Sequence, residues 1–196
     1  MTSDEIVVSF KGPFSWTKND KCPNLFRQEV SNLRGLYLWT VPQSERELIY
    51  YVGITGRSFH KRMEEHFKEH CAGAYHLNEP EKLRNGNRKC IWPGFFDQTN
   101  KKNIAELVEN YDNYARIIVD LSHIYRFYLA PLELENRKLE RIEAALAMHL
   151  YNQPGEVGAF QEKGVIYKAR NNDETPFQAR FESKANLIGI PDILEV

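Results

Sequence analysis

Gly35-Leu36-Tyr37-Leu38-Trp39-Thr40-Val41 and Ile49-Tyr50-Tyr51-Val52-Gly53-Ile54 are the two runs on which the fold turns. Both are rich in β-branched and aromatic residues. The polar stretch Pro42-Gln43-Ser44-Glu45-Arg46-Glu47 between them has hairpin length, so residues 34–41 and 48–54 read as paired strands. Side chains alternate across a strand, so Gly35, Tyr37 and Trp39 share one face and Leu36 and Leu38 the other. On the second strand Ile49, Tyr51 and Gly53 share a face, opposite to Tyr50, Val52 and Ile54. With a turn centred near Ser44, Tyr37 and Tyr51 lie almost opposite each other, two phenols with glycines leaving room for a ligand. Taken alone, two tyrosines in a hairpin read as packing residues.

Working outward, Thr55-Gly56-Arg57-Ser58 breaks the strand pattern and offers Ser58 as a helix N-cap. The helix it opens runs to about His70, with Phe59, Met63 and Phe67 as its apolar stripe. Residues 5–10 form a short strand, 71–100 are irregular, and a short helix is expected at 101–110. Residues 115–121 and 124–130 read as strands, the second stopped by Pro131. A helix follows from about Leu134 to Leu150, with Leu139, Ile142 and Leu146 on one face, and Asn152-Gln153-Pro154-Gly155 ends it. This order predicts an α+β fold: a small antiparallel sheet with a three-stranded core, flanked by helices. The domain spans 34–152 with an insertion at 71–110, preceded by an N-terminal arm (1–33) and followed by a C-terminal extension (153–196).

The chain of 196 residues suffices for one domain with a substantial core. No run of about 18 apolar residues exists, so no membrane-spanning helix is expected. The acidic start Met1-Thr2-Ser3-Asp4-Glu5 argues against a secretory signal. Cys22, Cys71 and Cys90 match neither a disulfide framework nor a zinc pattern, and read as reduced thiols of a cytoplasmic protein. The net charge of −1 counts against a protein that coats nucleic acid, because phosphate contacts need Lys and Arg. A local basic path remains open: Lys82, Arg84, Arg88, Lys89, Lys101 and Lys102 against Glu81 and Asp97 give +4, interleaved with Trp92, Phe95 and Phe96. An ordinary surface loop over an aromatic cluster is the equal alternative.

Gly35-Leu36-Tyr37 followed by Tyr51-Val52-Gly53 resembles the paired signature of the GIY-YIG nuclease family. In that family the second strand leads into a helix bearing an essential arginine, often followed four residues later by histidine. Lys61-Arg62-Met63-Glu64-Glu65-His66-Phe67 stands there. The family's metal-binding glutamate, typically Glu-x-x-Leu on a later helix, is matched by Glu143-Ala144-Ala145-Leu146. The resemblance runs from about Gly35 to about Asn152. It implies a metal-dependent endonuclease acting on DNA, with Tyr37, Tyr51, Arg62, His66 and Glu143 as the catalytic set. It implies Glu143 as ligand of one Mg²⁺ or Mn²⁺, and Arg57, Lys61, Arg84, Arg88 and Lys89 are the expected nucleic-acid contacts. The sequence departs from the family at its later asparagine, about twelve residues after the glutamate. Position 155 is Gly, and Asn152 falls nine residues on.

The residue types suit phosphodiester hydrolysis, which needs an activated water, charge stabilisation on the phosphate and help for the leaving oxygen. Mg²⁺ prefers carboxylate and water oxygens. Glu143 is the last charge before an apolar helical run; its alternative is the solvated face of Glu133, Glu135, Glu140 and Arg141. Arg62 and His66 are i, i+4 neighbours on one flank of their helix. Arginine holds two phosphate oxygens in its planar fork and keeps its charge, although an ion pair with Glu65 or Glu69 is the plainer reading. His66 could orient a tyrosine or relay a proton, or be a partly buried polar residue. By resemblance Tyr37 is the general base or water-orienting group and Tyr51 its support. A phenol titrates near ~10, so Tyr37 in that role needs a cation such as Arg62 to lower its pKa.

Nothing resembling a zinc finger, helix-turn-helix or second enzyme domain is attached, which suits a compact, stand-alone, restriction-like endonuclease. One site must turn around to cut both strands, so a homodimer on DNA is attractive. The competing reading is a catalytically inactive descendant, a nucleic-acid-binding or protein-interaction module.

Overall fold

A computed structural model describes residues 4–17, 22–97, 104–160 and 163–196. The hairpin is present, as β2 (Gly35–Gln43) and β3 (Arg46–Thr55), with a tighter turn than expected and Ser44 at positive φ. β2 is central: it pairs antiparallel with β3 on one side and with β6 (Arg126–Pro131) on the other. The strands expected at 34–41, 48–54 and 124–130 are therefore neighbours.

They are not the whole sheet, and the expected small three-stranded core is corrected here. The arm supplies β1 (Glu5–Phe14), antiparallel to β6. The C-terminal stretch supplies β7 (Gln178–Ser183), parallel to β1, β8 (Asn186–Ile188), parallel to β3, and β9 (Ile193–Glu195), antiparallel to β7. The result is a seven-stranded mixed sheet in the order β8-β3-β2-β6-β1-β7-β9. The strand expected at 5–10 is present as part of β1, whereas strands of three to six residues leave no long periodic signal, which is why none is expected from the sequence beyond residue 153.

This topology forces the sheet to curl. Between β7 and β8 stand only Lys184 and Ala185, a link that reaches about 11 Å at three Cα steps. In a flat sheet five strand spacings of ~4.8 Å would hold β7 and β8 about 24 Å apart. The strands therefore roll into a half-barrel whose two sides the C-terminal segment stitches together.

The helices are α1 (Phe59–Cys71), α2 (Pro80–Arg84), α3 (Ile104–Glu109), α4 (Tyr111–Ile124), α5 (Asn136–Tyr151) and α6 (Glu156–Phe160). A second correction concerns residues 115–121, read as a strand from the run Ile117-Ile118-Val119. They lie inside α4, whose Tyr114, Ile117, Ile118, Leu121 and Ile124 form a buried stripe at helical spacing. That period outweighs the local β-branched preference. The insertion is ordered around the short pair β4 (Leu77–Asn78) and β5 (Cys90–Trp92), with Trp92 buried and its Nε1 donating to Gly73 O at 2.7 Å. The short helix expected at 101–110 is α3 from Ile104; Lys101 and Lys102 lie outside the described residues. Among the described residues no helix is long and apolar enough to cross a membrane.

Gly35 shows how tightly β2 is held against β6. Its φ is +144°, and an added Cβ would lie 2.7 Å from Leu132 N and closer still to the carbonyl of Ala130. Both atoms are backbone and cannot step aside. Gly35→Ala is expected to cost roughly 2–5 kcal/mol of stability by combined strain and overpacking, read as a lowered urea midpoint; a cost below about 0.5 kcal/mol would show that the strand ends are free to separate.

Candidate active site

The site begins with the register of the hairpin. A bulge between Trp39 and Thr40 sets Trp39 opposite Tyr51 and Tyr37 opposite Gly53. Tyr37 and Tyr51 are therefore diagonal neighbours on one face, with ring centroids 6.2 Å apart. Gly53 makes room for the Tyr37 phenol: a Cβ there would collide with that ring and come within 2.7 Å of Tyr51 Cε1. Tyr37 is 1% exposed and Tyr51 38%, so one phenol is in the core and the other in the open.

Helix α1 brings the next two groups. Ser58 caps it, its hydroxyl accepting from Lys61 N at 3.3 Å. Phe59 and Met63 are buried and Phe67 half-buried, which turns Arg62 and His66 toward the hairpin face. The Tyr37 hydroxyl lies 2.8 Å from His66 Nε2, and Arg62 Nε donates to it at 3.4 Å. On the other side of the imidazole, His66 Nδ1 is 2.6 Å from the hydroxyl of Tyr75, which donates to Glu69. That last donation assigns the directions by hydrogen-bond logic: His66 Nδ1–H donates to Tyr75, so Nε2 accepts from Tyr37. A continuous chain, Arg62 to Tyr37 to His66 to Tyr75 to Glu69, results.

Burial, helped by the Arg62 charge, brings the His66 pKa down to about 3, so the ring is neutral. Burial also pushes the Tyr37 phenol well above its ordinary value, with the Tyr51 charge adding to it; Arg62 works in the opposite direction and is outweighed. Arg62 therefore does not supply the resting phenolate that a simple base role for Tyr37 requires. Arg62 also donates to Glu65 at 3.3 Å, and Arg57 holds the same carboxylate through both nitrogens at 2.8 and 2.7 Å. The ion pair anticipated for Arg62 is thus formed without removing it from the site.

Glu143 comes from α5, where it is 3% exposed. The backbone N–H of Ile54 on β3 donates to it, and Lys168 Nζ stands 2.7 Å from Oε2. Burial raises the Glu143 pKa despite these partners. Partial burial disfavours the Lys168 ammonium, but the carboxylate more than offsets this and holds its pKa above the ordinary value.

Tyr51, Arg62, His66 and Glu143 all line one cleft of about 900 Å³, with Tyr37 directly beneath. The insertion contributes Tyr75, His76, Arg88 and Phe96 to its rim, and the C-terminal extension contributes Tyr167 and Lys168. Of the expected nucleic-acid contacts only Arg88 lines the cleft. Lys89 pairs with Glu79 at 2.6 Å, and Arg57, Lys61 and Arg84 are exposed outside it. Asn152 is the exposed C-cap of α5 and does not line the cleft. Sequence reading missed Glu69, Tyr75 and Lys168. Tyr75 and Lys168 lie in stretches without periodicity or motif, and Glu69 is one of several acidic residues on α1.

Among the described residues no group of three or more His, Cys, Asp and Glu side chains gathers to hold a metal. A single buried carboxylate is nonetheless a hard-oxygen donor of the kind Mg²⁺ uses with water and phosphate oxygens. The Lys168 ammonium on it is a stand-in that shows the place accepts positive charge. The described residues thus offer a divalent cation one carboxylate, Glu143, with Lys168 already on it.

Burial also lowers His70, whose Nε2 is 3.2 Å from Ile118 O, to a pKa of about 4. The unfolded chain binds protons at both histidines below pH ~6.5, while the folded chain resists until about 4 and 3. Stability therefore falls as pH drops from about 6.5, by up to about 1.4 kcal/mol per pH unit for each ring. Urea unfolding at pH 7, 6 and 5 should show a shallower pH slope in His70→Gln than in wild type; equal slopes would mean that His70 is not held neutral.

No family model, no curated protein and no solved structure matches the chain.

Proposed function

We propose that this chain is a metal-dependent endonuclease that hydrolyses DNA phosphodiester bonds. The observation carrying the reading is convergence: a phenol, a guanidinium, an imidazole and a carboxylate, drawn from β3, α1 and α5, line one open cleft, and the second phenol, Tyr37 of β2, is hydrogen-bonded to two of them from beneath. The resemblance to the GIY-YIG signature adds the reaction class. In this reading Arg62 binds the non-bridging phosphate oxygens through its planar fork, exchanging part of its contact with Glu65 for the substrate. Tyr51 presents its hydroxyl to the phosphate from the exposed side of the hairpin. A divalent cation held at Glu143 supplies, when bound, positive charge for the phosphate and the leaving oxygen.

The neutral His66 gives Tyr37 a role other than a resting phenolate. As a water attacks phosphorus, its proton passes to the Tyr37 oxygen while the Tyr37 proton passes to His66 Nε2, once the bound phosphate has offset the Arg62 charge that helps to hold the His66 pKa down. The new P–O bond forms, the bridging P–O bond breaks, and the departing oxygen takes a proton from solvent.

A second reading, a module that binds nucleic acid without cutting it, has two observations in its favour: Lys168 already neutralises Glu143, and Tyr37 lies beneath the cleft surface. Supercoiled plasmid with Mg²⁺ or Mn²⁺ separates the two. Wild type is expected to nick or linearise it, and Arg62→Ala and Glu143→Gln, purified identically, to lose on the order of 100-fold or more in rate. Equal cutting by all three would mean a contaminating nuclease, and no cutting with DNA still retained in a gel shift would leave the binding module.

Tyr37→Phe tests the relay. It removes a buried donor to His66, at about 1–3 kcal/mol of stability, and should lower the cleavage rate by about 10²–10⁴. A folded variant that cuts at near-full rate would take Tyr37 out of the proton path.

A further inference from the structure

We propose that the Glu143–Lys168 contact is a cation-exchange site: the Lys168 ammonium keeps the place of a divalent cation on the Glu143 carboxylate, and that cation must displace it to bind. This rests on the reading of Glu143 as the metal ligand. A carboxylate this buried needs a counter-charge at all times, because an isolated charge taken out of water is strongly penalised. Lys168 Nζ, 2.7 Å from Oε2, provides it.

The contact is built into the fold. Arg137, on the same helix as Glu143, donates to the main-chain oxygens of Lys168 at 3.0 Å and Ala169 at 2.9 Å. Arg137 is itself fixed by Glu174 through two bonds of 2.7 and 2.6 Å. One turn further on, Arg141 donates to Thr175 O at 2.9 Å and Val196 O at 2.7 Å, with its guanidinium 4.7 Å from the centre of the Phe177 ring. Helix α5 thus carries both Glu143 and the clamp that places Lys168 against it.

The clamp holds main chain, so only the four methylenes and the ammonium need move when the cation changes. Lys168 Nζ is 5.8 Å from the centre of the exposed Tyr167 ring, which gives the displaced ammonium an adjoining place in the same cleft. Joint occupancy is disfavoured, because a divalent ion and an ammonium on one carboxylate would be like charges about 4 Å apart. Two consequences follow. The site's affinity for divalent cations is lower than the carboxylate alone would give. A DNA phosphate in the cleft, by accepting the displaced ammonium, favours metal binding, and by linkage metal favours DNA.

The test is Mn²⁺ binding to the full chain without DNA, followed by the electron paramagnetic resonance signal of free Mn²⁺. Lys168→Met should bind Mn²⁺ roughly tenfold more tightly than wild type, in keeping with the loss of one charge-assisted hydrogen bond. Lys168→Arg should remain near wild type, and Glu143→Gln should abolish binding in every background. Unchanged or weaker binding in a folded Lys168→Met overturns the proposal, as does the absence of Mn²⁺ binding in both chains. Should Lys168→Met fail to fold, wild type labelled with ¹³Cε-lysine keeps the question open to decision. Mg²⁺ should shift one lysine signal strongly, and no shift overturns the proposal. Plasmid cleavage is scored separately: cation exchange without cleavage removes the nuclease reading alone, and cleavage that requires Mg²⁺ or Mn²⁺ but proceeds with no exchange at Lys168 removes this inference alone.

Discussion

The hydroxyl of Tyr37 lies in the core, where an unpaired polar group costs roughly 1–3 kcal/mol, and the partners it requires organise the elements around it. The phenol can enter only because position 53 has no side chain. Its hydroxyl must then be satisfied, and α1 supplies both an acceptor, His66 Nε2, and a donor, Arg62 Nε. Once His66 is buried neutral, its second nitrogen needs a partner too. Tyr75 meets that need and thereby fastens the start of the insertion to α1, with Glu69 closing the chain. A strand, a helix and the start of the insertion are held in register by one buried oxygen and its dependants.

Helix α5 performs the matching task on the other wall. Its apolar face, Leu139, Ile142 and Leu146, packs into the core, while Arg137 and Arg141 reach out to the main chain of residues 168–175 and the final strand region. The short link through Lys184 and Ala185 pulls the two ends of the sheet toward each other. The half-barrel and the Arg137 clamp are thus two ends of one construction: the segment that closes the sheet also delivers Lys168 to Glu143.

Sequence reading reached the parts of this architecture that repeat. The hairpin, α1 and α5 were legible because alternation over seven or more residues and helical stripes of three apolar positions are local signals. The Tyr37, Arg62 and His66 cluster followed from those elements plus the motif spacing, and so did the placing of Glu143 at the entry to the core. What was not legible depends on contacts between distant residues. β7, β8 and β9 are too short to declare themselves; the partners of β7 and β8 lie more than a hundred residues away in β1 and β3, and β9 pairs only with β7. The strand assigned to 115–121 rested on three β-branched residues, and lost to a buried stripe that extends on both sides of them. The expectation that Arg62 lowers the Tyr37 pKa weighed the charge and left out the burial, which the sequence did not show to be complete.

The cleft's charges are organised as internal pairs, which makes the proposed action on DNA compatible with a chain of net charge −1. Arg62 shares Glu65 with Arg57, and Lys168 is held by Glu143. Arg88 donates to His76 Nδ1 at 2.8 Å, while His76 Nε2 stands 3.3 Å from Asp97. Arg62, Arg88 and Lys168 at the cleft thus each have an anion or a polar acceptor among the described residues. A phosphate that enters competes for these partners one at a time, and each exchange trades one charge-assisted hydrogen bond for another. The net gain per contact is small, so affinity depends on making several exchanges at once. On the proposed reading such a site discriminates by geometry, because a polyanion has to match the spacing of Arg62, Arg88 and Lys168 to replace their internal partners together.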